Sequence, residues 1–320
     1  MSTYLKFRPA WVQLLIFGSI TVGLAIISSL VGMSIVASVN HLSLMELSRL
    51  GPEDFSKPEF ASVAKGMLVV QFFGIFLLPS LIFAYLADPK PLQFAGLRKP
   101  DRRGFILLGV IIILFSYLMV EWLGEINQQL VQQLLGKSAR QWIEKGESEV
   151  GGTLQNILAM KNPRDLLVSV VLVAVLASVG EELFFRGIVQ RIFIQAFKNP
   201  WWGIIVTAAV FSAAHGQFLG FLPRMILGIV LGLLYWYSGS LYPAIAGHFV
   251  FNGLQILLIY YKVMDTSQQT SVPGKMLTAT GVVALLVVIA LLNFMRRHSS
   301  TSYARIYDSH EADQGWPGSS

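Results

Sequence analysis

The chain contains no cysteine. That one absence excludes disulfides, thiolate metal sites, iron–sulfur clusters, thiol nucleophiles and S-acylation together. Charge is scarce as well. Only 13% of the 320 residues are Asp, Glu, Lys or Arg, whereas a soluble domain carries roughly a quarter. A single water-soluble domain is therefore excluded. Disorder is excluded by the opposite abundance, since 54% of the residues are hydrophobic and apolar surface is plentiful. The mean hydropathy is +0.61. Acids are scarcer than bases, 18 against 24, for a net charge of +6. In a soluble protein that excess would point to nucleic acid. In a membrane protein it reflects basic cytoplasmic loops beside anionic lipid, so the bilayer is the expected partner and nucleic acid is not.

Long apolar runs are what the chain has in quantity. About 20 mostly apolar residues cross a bilayer, and eight stretches qualify: 11–38, 66–86, 104–123, 166–190, 201–216, 223–238, 242–261 and 276–295. The fold class expected is thus all-α, a polytopic membrane protein with about eight transmembrane helices. The first run is too long for a signal peptide and lacks a clear small-residue cleavage site, so it reads as a retained helix. The fifth and sixth are short, as tilted or internally buried helices are. Residues 1–164 are expected to hold helices one to three with their loops. Residues 165–261 should form the core of helices four to seven, and 262–320 a last helix with a polar, disordered cytoplasmic tail. The short loop 88–103 carries Lys90, Arg98, Lys99, Arg102 and Arg103. Such a loop is retained inside, which puts both termini in the cytoplasm and suits a cell inner membrane. Between 124 and 165, Ile126, Leu130, Val131, Leu134 and Leu135 stand at helical spacing opposite Gln128, Gln129, Gln132 and Gln133. That pattern predicts an amphipathic helix at the interface, packed on the bundle or lying over a site.

A charge at the bilayer centre costs at least about 2.5 kcal/mol, so ionisable residues inside apolar runs are the informative ones. The fourth run holds Glu181, Glu182 and Arg186, the fifth ends at His215, and the seventh holds His248 and Asn252. Glu182 and Arg186 are one turn apart in the favourable acid-first order for an ion pair. Glu181 is rotated by about 100° from Glu182 and is left without a local partner. His248 and Asn252 share a face. Each feature has an ordinary structural use: a brace for the ion pair, interhelical bonding for the amide, a satisfied core residue for one histidine. The set in otherwise charge-poor helices points to function. Arg224, at the start of the sixth run, is expected to snorkel to the headgroups. Glu121 reads as interfacial, and Trp201, Trp202, Tyr235, Trp236, Tyr237 and Tyr242 as interfacial anchors. Gly228 and Gly232 form a GxxxG of close helix packing. A Ser–His–acid arrangement is poorly supported, since Ser212 near His215 has no local acid.

In EExxxR (Glu181, Glu182, Arg186), FxxxH (Phe211, His215) and HxxxN (His248, Asn252), the sequence resembles the CPBP intramembrane proteases. That family includes the type II CAAX prenyl endopeptidases and bacteriocin-processing or self-immunity proteins. The resemblance covers about 165–255, with three motifs in order on separate runs. It implies hydrolysis of a peptide bond in a membrane-associated protein or peptide. Glu181 would activate water, and Glu182 and Arg186 would brace it. His215 would orient water or bind a metal; His248 and Asn252 would bind a metal or stabilise the oxyanion.

The residue types suit that chemistry, which needs a base, an oxyanion donor and a proton for the leaving amine. Two versions stay open. Glu181, His215 and His248 supply the ligands of a catalytic zinc, as in a metalloprotease, with Glu182 as base; or Glu181 acts as base with no metal. By position along the runs, His248 lies roughly 10 Å from the cytoplasmic end and Glu181 and His215 deeper, a mismatch that an irregular segment near Gly247 would resolve. The alternatives to an enzyme are a non-catalytic scaffold or bacteriocin-immunity protein and an ion-coupled transporter. The lack of a visible internal repeat counts against the transporter.

Overall fold

The computed structural model describes residues 4–262, 274–301 and 303. Among them every regular element is helical. Seven helices are long and apolar enough to cross a membrane: α1 (Ala10–Val39), α2 (Pro58–Ala87), α3 (Gly104–Leu134), α5 (Pro163–Phe197), α7 (Phe221–Ser238), α8 (Tyr242–Tyr260) and α9 (Gly274–Arg297). One further apolar helix, α6 (Pro200–Ala213), is shorter at 14 residues. The protein is a polytopic all-α membrane protein, in keeping with about eight spans. The eighth is the short one, because a helix of 14 residues rises only about 21 Å.

The helix ends follow local chemistry. Asn162 and Asn199 cap α5 and α6 by accepting hydrogen bonds from the first-turn amides, each with proline as the first helical residue, where a missing N–H costs nothing. In α2 a π-helical turn at Phe72–Leu77 precedes Pro79. The proline cannot donate to the ladder, and Ser80 Oγ donates to the carbonyl of Phe76 at 2.6 Å. Helix α5 holds two such π-helical stretches, Val170–Leu176 and Glu182–Val189.

Helix α7 is the axis of the bundle and the most buried of the seven spanning helices. It packs between α3, α6 and α8. Helix α3 also lies along α8 and α9, α5 runs beside α6, α8 and α2, and α1 sits outside against α2. Lipid-facing side chains such as Leu15, Ile26 and Leu30 leave α1 largely uncovered. One apolar core lies around α7, with Ile112, Leu231 and Leu234 fully buried; a second joins α1, α2 and α5 through Phe17, Phe83 and Ile188.

Several expectations are corrected. Ile126–Leu134 is the end of α3, which continues unbroken for 31 residues. The amphipathic helix is a separate one, α4 (Lys137–Ile157). Trp236 and Tyr237 are buried in the core instead of anchoring at the interface, whereas Trp201, Trp202 and Tyr242 are exposed. Helix α8 is regular through Gly247. Beyond α9, Arg102 donates to His298 O, and Ser300 Oγ donates to Asp101; residues 298–301 are thus tied to the basic loop. The expected disordered tail, from 304 onward, lies outside the described residues, as do 1–3 and 263–273.

Candidate active site

Glu181 stands midway along α5, with Glu182 opening the second π-helical stretch. A π turn leaves its carbonyls and side chains in a register the regular helix lacks, and such turns concentrate at functional positions. Glu182 and Arg186 pair as expected: the guanidinium Nη1 donates to Glu182 Oε1 at 2.7 Å, and both side chains are completely buried. The same oxygen accepts from His248 Nδ1 at 2.9 Å.

Each histidine is held by its Nδ1. His215 Nδ1 lies 2.8 Å from the carbonyl oxygen of Phe211. A carbonyl only accepts, so Nδ1 carries a proton, and the neutral ring offers its lone pair at Nε2. His248 is fixed the same way by the Glu182 carboxylate. Both Nε2 atoms then face Glu181 Oε2, each at 4.0 Å. That oxygen is buried and has no hydrogen-bond partner among the described residues. Phe211 holds the group together: its ring packs edge-on at 5.0 Å from the His215 ring and 5.1 Å from Phe185, and under the Arg186 guanidinium at 4.4 Å. Asn252 lines the same cavity, but one of its two N–H groups donates to Val173 O at 3.0 Å, in the first π-helical stretch of α5. One N–H therefore remains for another partner.

Two features of the connections bring these groups together. Helix α6 ends at Ala213, below the end of a complete crossing, so the turn after it brings His215 into the bundle. At the other side the α7–α8 turn is buried. Ser240 and Leu241 are fully enclosed beneath the 95–101 loop, with Leu241 N–H donating to Gly96 O and Ser240 Oγ to Arg98 O. Helix α8 thus starts from an enclosed turn and places His248 Nε2 4.0 Å from Glu181 Oε2.

Residues outside the motifs complete the arrangement. Gln190 follows Glu182 and Arg186 at the next fourth position. Arg186 donates to Gly228 O at 3.3 Å and Gln190 to Gly232 O at 3.2 Å. The GxxxG of α7 thus packs against α6 and offers its carbonyls to side chains of the site helix. A Cβ at Gly232 would lie 2.6 Å from Gln190 Oε1, and one at Gly228 would lie 3.0 Å from Ala208 Cβ. The i, i+4, i+8 spacing was the sequence signal for Gln190. Arg224, at the start of α7, lines the cavity and donates to Gln217 Oε1 at 2.8 Å. Glu121 lines it too.

The cavity measures about 1450 Å³ and opens between α2, α3, α4, α5, α7 and α8. Helix α4 roofs it. Glu147 accepts from Leu219 N–H at 2.9 Å and from Gln217, and Asn156 donates to Phe55 O and Lys57 O. Asn127 of α3 donates to Phe218 O and Leu219 O, so the turn carrying His215 is clamped from two helices.

Three lone pairs from Glu181, His215 and His248 converge on one point. A water offers two hydrogens, so the third acceptor calls for one more proton or for a cation. In donor type the set fits a divalent ion. In spacing it does not fit as it stands: ligands about 2.0–2.2 Å from a tetrahedral ion lie about 3.4 Å apart, against 4.0 Å here. Among the described residues no three His, Asp or Glu are gathered closely enough to hold a metal ion.

Comparison with known proteins bears on the same segment. The chain is 26% identical over 108 residues to an uncharacterized 24.3 kDa protein of Escherichia coli, covering 32% of this chain and 50% of that protein. The chain thus spans about half the length of the curated relative it matches. No solved structure matches. Residues 163–254 match the family described as type II CAAX prenyl endopeptidase, Rce1-like. That match, which runs from the start of α5 into α8 and holds every motif residue, supports the resemblance to the CPBP intramembrane protease family.

Proposed function

We propose that the protein is a membrane-embedded endopeptidase that hydrolyses a peptide bond in a membrane-associated protein or peptide, near its C-terminus. The observation carrying this reading is Glu181 Oε2: buried, unpartnered, and faced by two imidazole lone pairs whose own protons are committed elsewhere. The 4.0 Å spacings suit a small occupant such as water, since two hydrogen bonds of about 2.8 Å meeting at a near right angle span that gap.

In this reading Glu181 takes a proton from the water as it attacks the scissile carbonyl carbon and delivers that proton to the leaving amine nitrogen. The water's second hydrogen goes to Nε2 of His215 or His248, and the other Nε2 takes the additional proton that three converging acceptors require. Asn252 offers its remaining N–H to the developing oxyanion. Glu182 and Arg186 hold His248 in its tautomer and ring plane, as a carboxylate behind a functional imidazole does. A divalent ion held by Glu181, His215 and His248 would supply Lewis-acid activation of the water. The spacing of these side chains favours the reading in which Glu181 acts directly.

A cell inner membrane with both termini in the cytoplasm follows from the basic 88–103 loop. The test is cleavage by the purified protein in detergent against lipidated and leader-like peptides, beside Glu181→Ala. The reading requires cleavage by the wild type that the variant loses while remaining folded. Cleavage unchanged in the variant would sink the mechanism, and a folded wild type inert on a broad panel would leave the scaffold alternative in its place.

A further inference from the structure

The two ends of the bundle differ. One end gathers the starts of α3 and α8 with the ends of α2, α5, α7 and α9, and the 88–103 loop closes it. Leu241 N–H donates to Gly96 O at 2.8 Å, Asp101 N–H to Ser238 O at 3.0 Å, Arg98 Nε to Gly239 O at 2.6 Å and Arg191 Nη1 to Phe94 O at 3.2 Å. A nearly buried Lys6–Asp88 ion pair of 2.8 Å ties the segment before α1 to the start of that loop. The loop reaches α5 itself. A Cβ at Gly187 would fall 2.8 Å from Ala95 O, and Gly187 stands only about 9 Å along the helix from Glu181. The cavity runs to the other end. Its outer lining comes from the segments there: Leu50 and Phe55 between α1 and α2, Val150 and Leu154 of α4, Gln217 and Leu219 between α6 and α7. Among the described residues, none of 88–103 and none of 187–200 lines it.

The closed end is also the basic one. The 88–103 loop carries five bases against two acids, and α9 ends there on Arg296 and Arg297. At the open end 40–60 carries two bases against four acids, and 137–165 five against four. A short basic loop is retained in the cytoplasm, so the open end faces the other side of the membrane. We infer that Glu181 is reached from the extracytoplasmic side, and that the substrate is a polypeptide segment already exported or inserted across the membrane. The inference rests on the protease reading and names the substrate class of that site. Polypeptide translocation is then the class of step that must supply the substrate, because a protein in the cytoplasm meets only the closed end. From His248 to Tyr260, where α8 ends, is about 18 Å along the helix. An extended chain advances about 3.3–3.6 Å per residue, so about five residues of substrate bridge the mouth and the bond cleaved.

The chain has no cysteine of its own, so single-cysteine variants report without background. The test uses right-side-out and inverted membrane vesicles holding the full chain, with a charged, membrane-impermeant thiol reagent. Lys99→Cys on the basic loop and Ser48→Cys between α1 and α2 report orientation, and Gln255→Cys reports the cavity it lines. Ser48→Cys and Gln255→Cys should label at least about tenfold faster in right-side-out vesicles and Lys99→Cys at least about tenfold faster in inverted ones, since a charged reagent does not cross hydrocarbon. A polar leader-like peptide added outside should be cleaved by the wild type with the same preference for right-side-out vesicles, and detergent should abolish the difference. Val150→Cys on α4 takes the place of Gln255→Cys if that variant does not fold. Labelling of Gln255→Cys and Lys99→Cys from one and the same side overturns the inference, because the cavity then opens beside the basic loop. Labelling of Lys99→Cys in right-side-out vesicles overturns the extracytoplasmic assignment, as does faster cleavage by inverted vesicles. Expected labelling with no cleavage, even in detergent, overturns the protease reading and with it the substrate class, while access from that side stands.

Discussion

His248 and Arg186 share one acceptor: Nδ1 of the first and Nη1 of the second both donate to Glu182 Oε1, at 2.9 and 2.7 Å. The ion pair of α5 is therefore not a local brace alone. It fixes an imidazole on α8, and through it the direction in which that imidazole offers its lone pair to Glu181.

The two glutamates should therefore separate in their effects. Glu181→Gln is expected to lower kcat by about 10²-fold or more with little change in unfolding midpoint, because the partnerless Oε2 loses nothing. Glu182→Ala is expected to lose activity and about 3–5 kcal/mol of stability, since it strands the fully buried Arg186 charge. Parallel turnover and denaturation measurements on the two variants check this; equal destabilisation by both would contradict it.

Gly232→Ala is expected to destabilise by about 1–3 kcal/mol, the usual cost of overpacking. Its Cβ would fall 2.6 Å from Gln190 Oε1 and 2.9 Å from Ile204 Cγ2. Gln190→Ala alone should restore part of that loss, so a double-mutant cycle should show coupling of about 0.5 kcal/mol or more. Additive losses would place the clash elsewhere.

Activity should survive exhaustive chelation. At 4.0 Å the Nε2 and Oε2 atoms stand too far apart for a tetrahedral ion without rearrangement. The check is turnover after treatment with a strong chelator, with elemental analysis of the purified protein. Loss of turnover restored by zinc would establish that these ligands close on an ion.

Helix α4 is tied down by few groups, so its tethers can be cut singly. Asn156→Ala removes two hydrogen bonds, to Phe55 O and Lys57 O, at a cost of about 1–3 kcal/mol local to the roof. Hydrogen exchange should rise across 137–157 while α7 stays protected. Uniform exchange throughout would mean that α4 is not an independent unit.

The motifs were legible because an ionisable residue in an apolar run has few explanations. The intrahelical Glu182–Arg186 pair followed from spacing alone. Gln190 and Arg224 escaped for opposite reasons. Gln190 carries no charge to draw notice, although it continues the stripe of Glu182 and Arg186. Arg224 stands next to a helix start, where long cations ordinarily reach headgroups, and only the fold shows that it lines the cavity. The extent of α3 was misread because the polar face of Gln128, Gln129 and Gln132 resembles an interfacial helix. In the structure α3 runs on without a break, and Gln128 faces the cavity.

Hydropathy and the scarcity of charge determined by themselves that this is a multi-helix membrane protein, because every uncovered polar group in the bilayer is costly. Residue order likewise determined which helices carry carboxylate, imidazole and amide. The meeting of those groups was decided by tertiary structure alone. Helix α6 stops short, the α7–α8 turn is buried beneath the 95–101 loop, and the glycines of α7 admit α6 while their carbonyls receive Arg186 and Gln190 from α5. Those are contacts between segments distant in the chain, and spacing along one helix does not encode the depth of another.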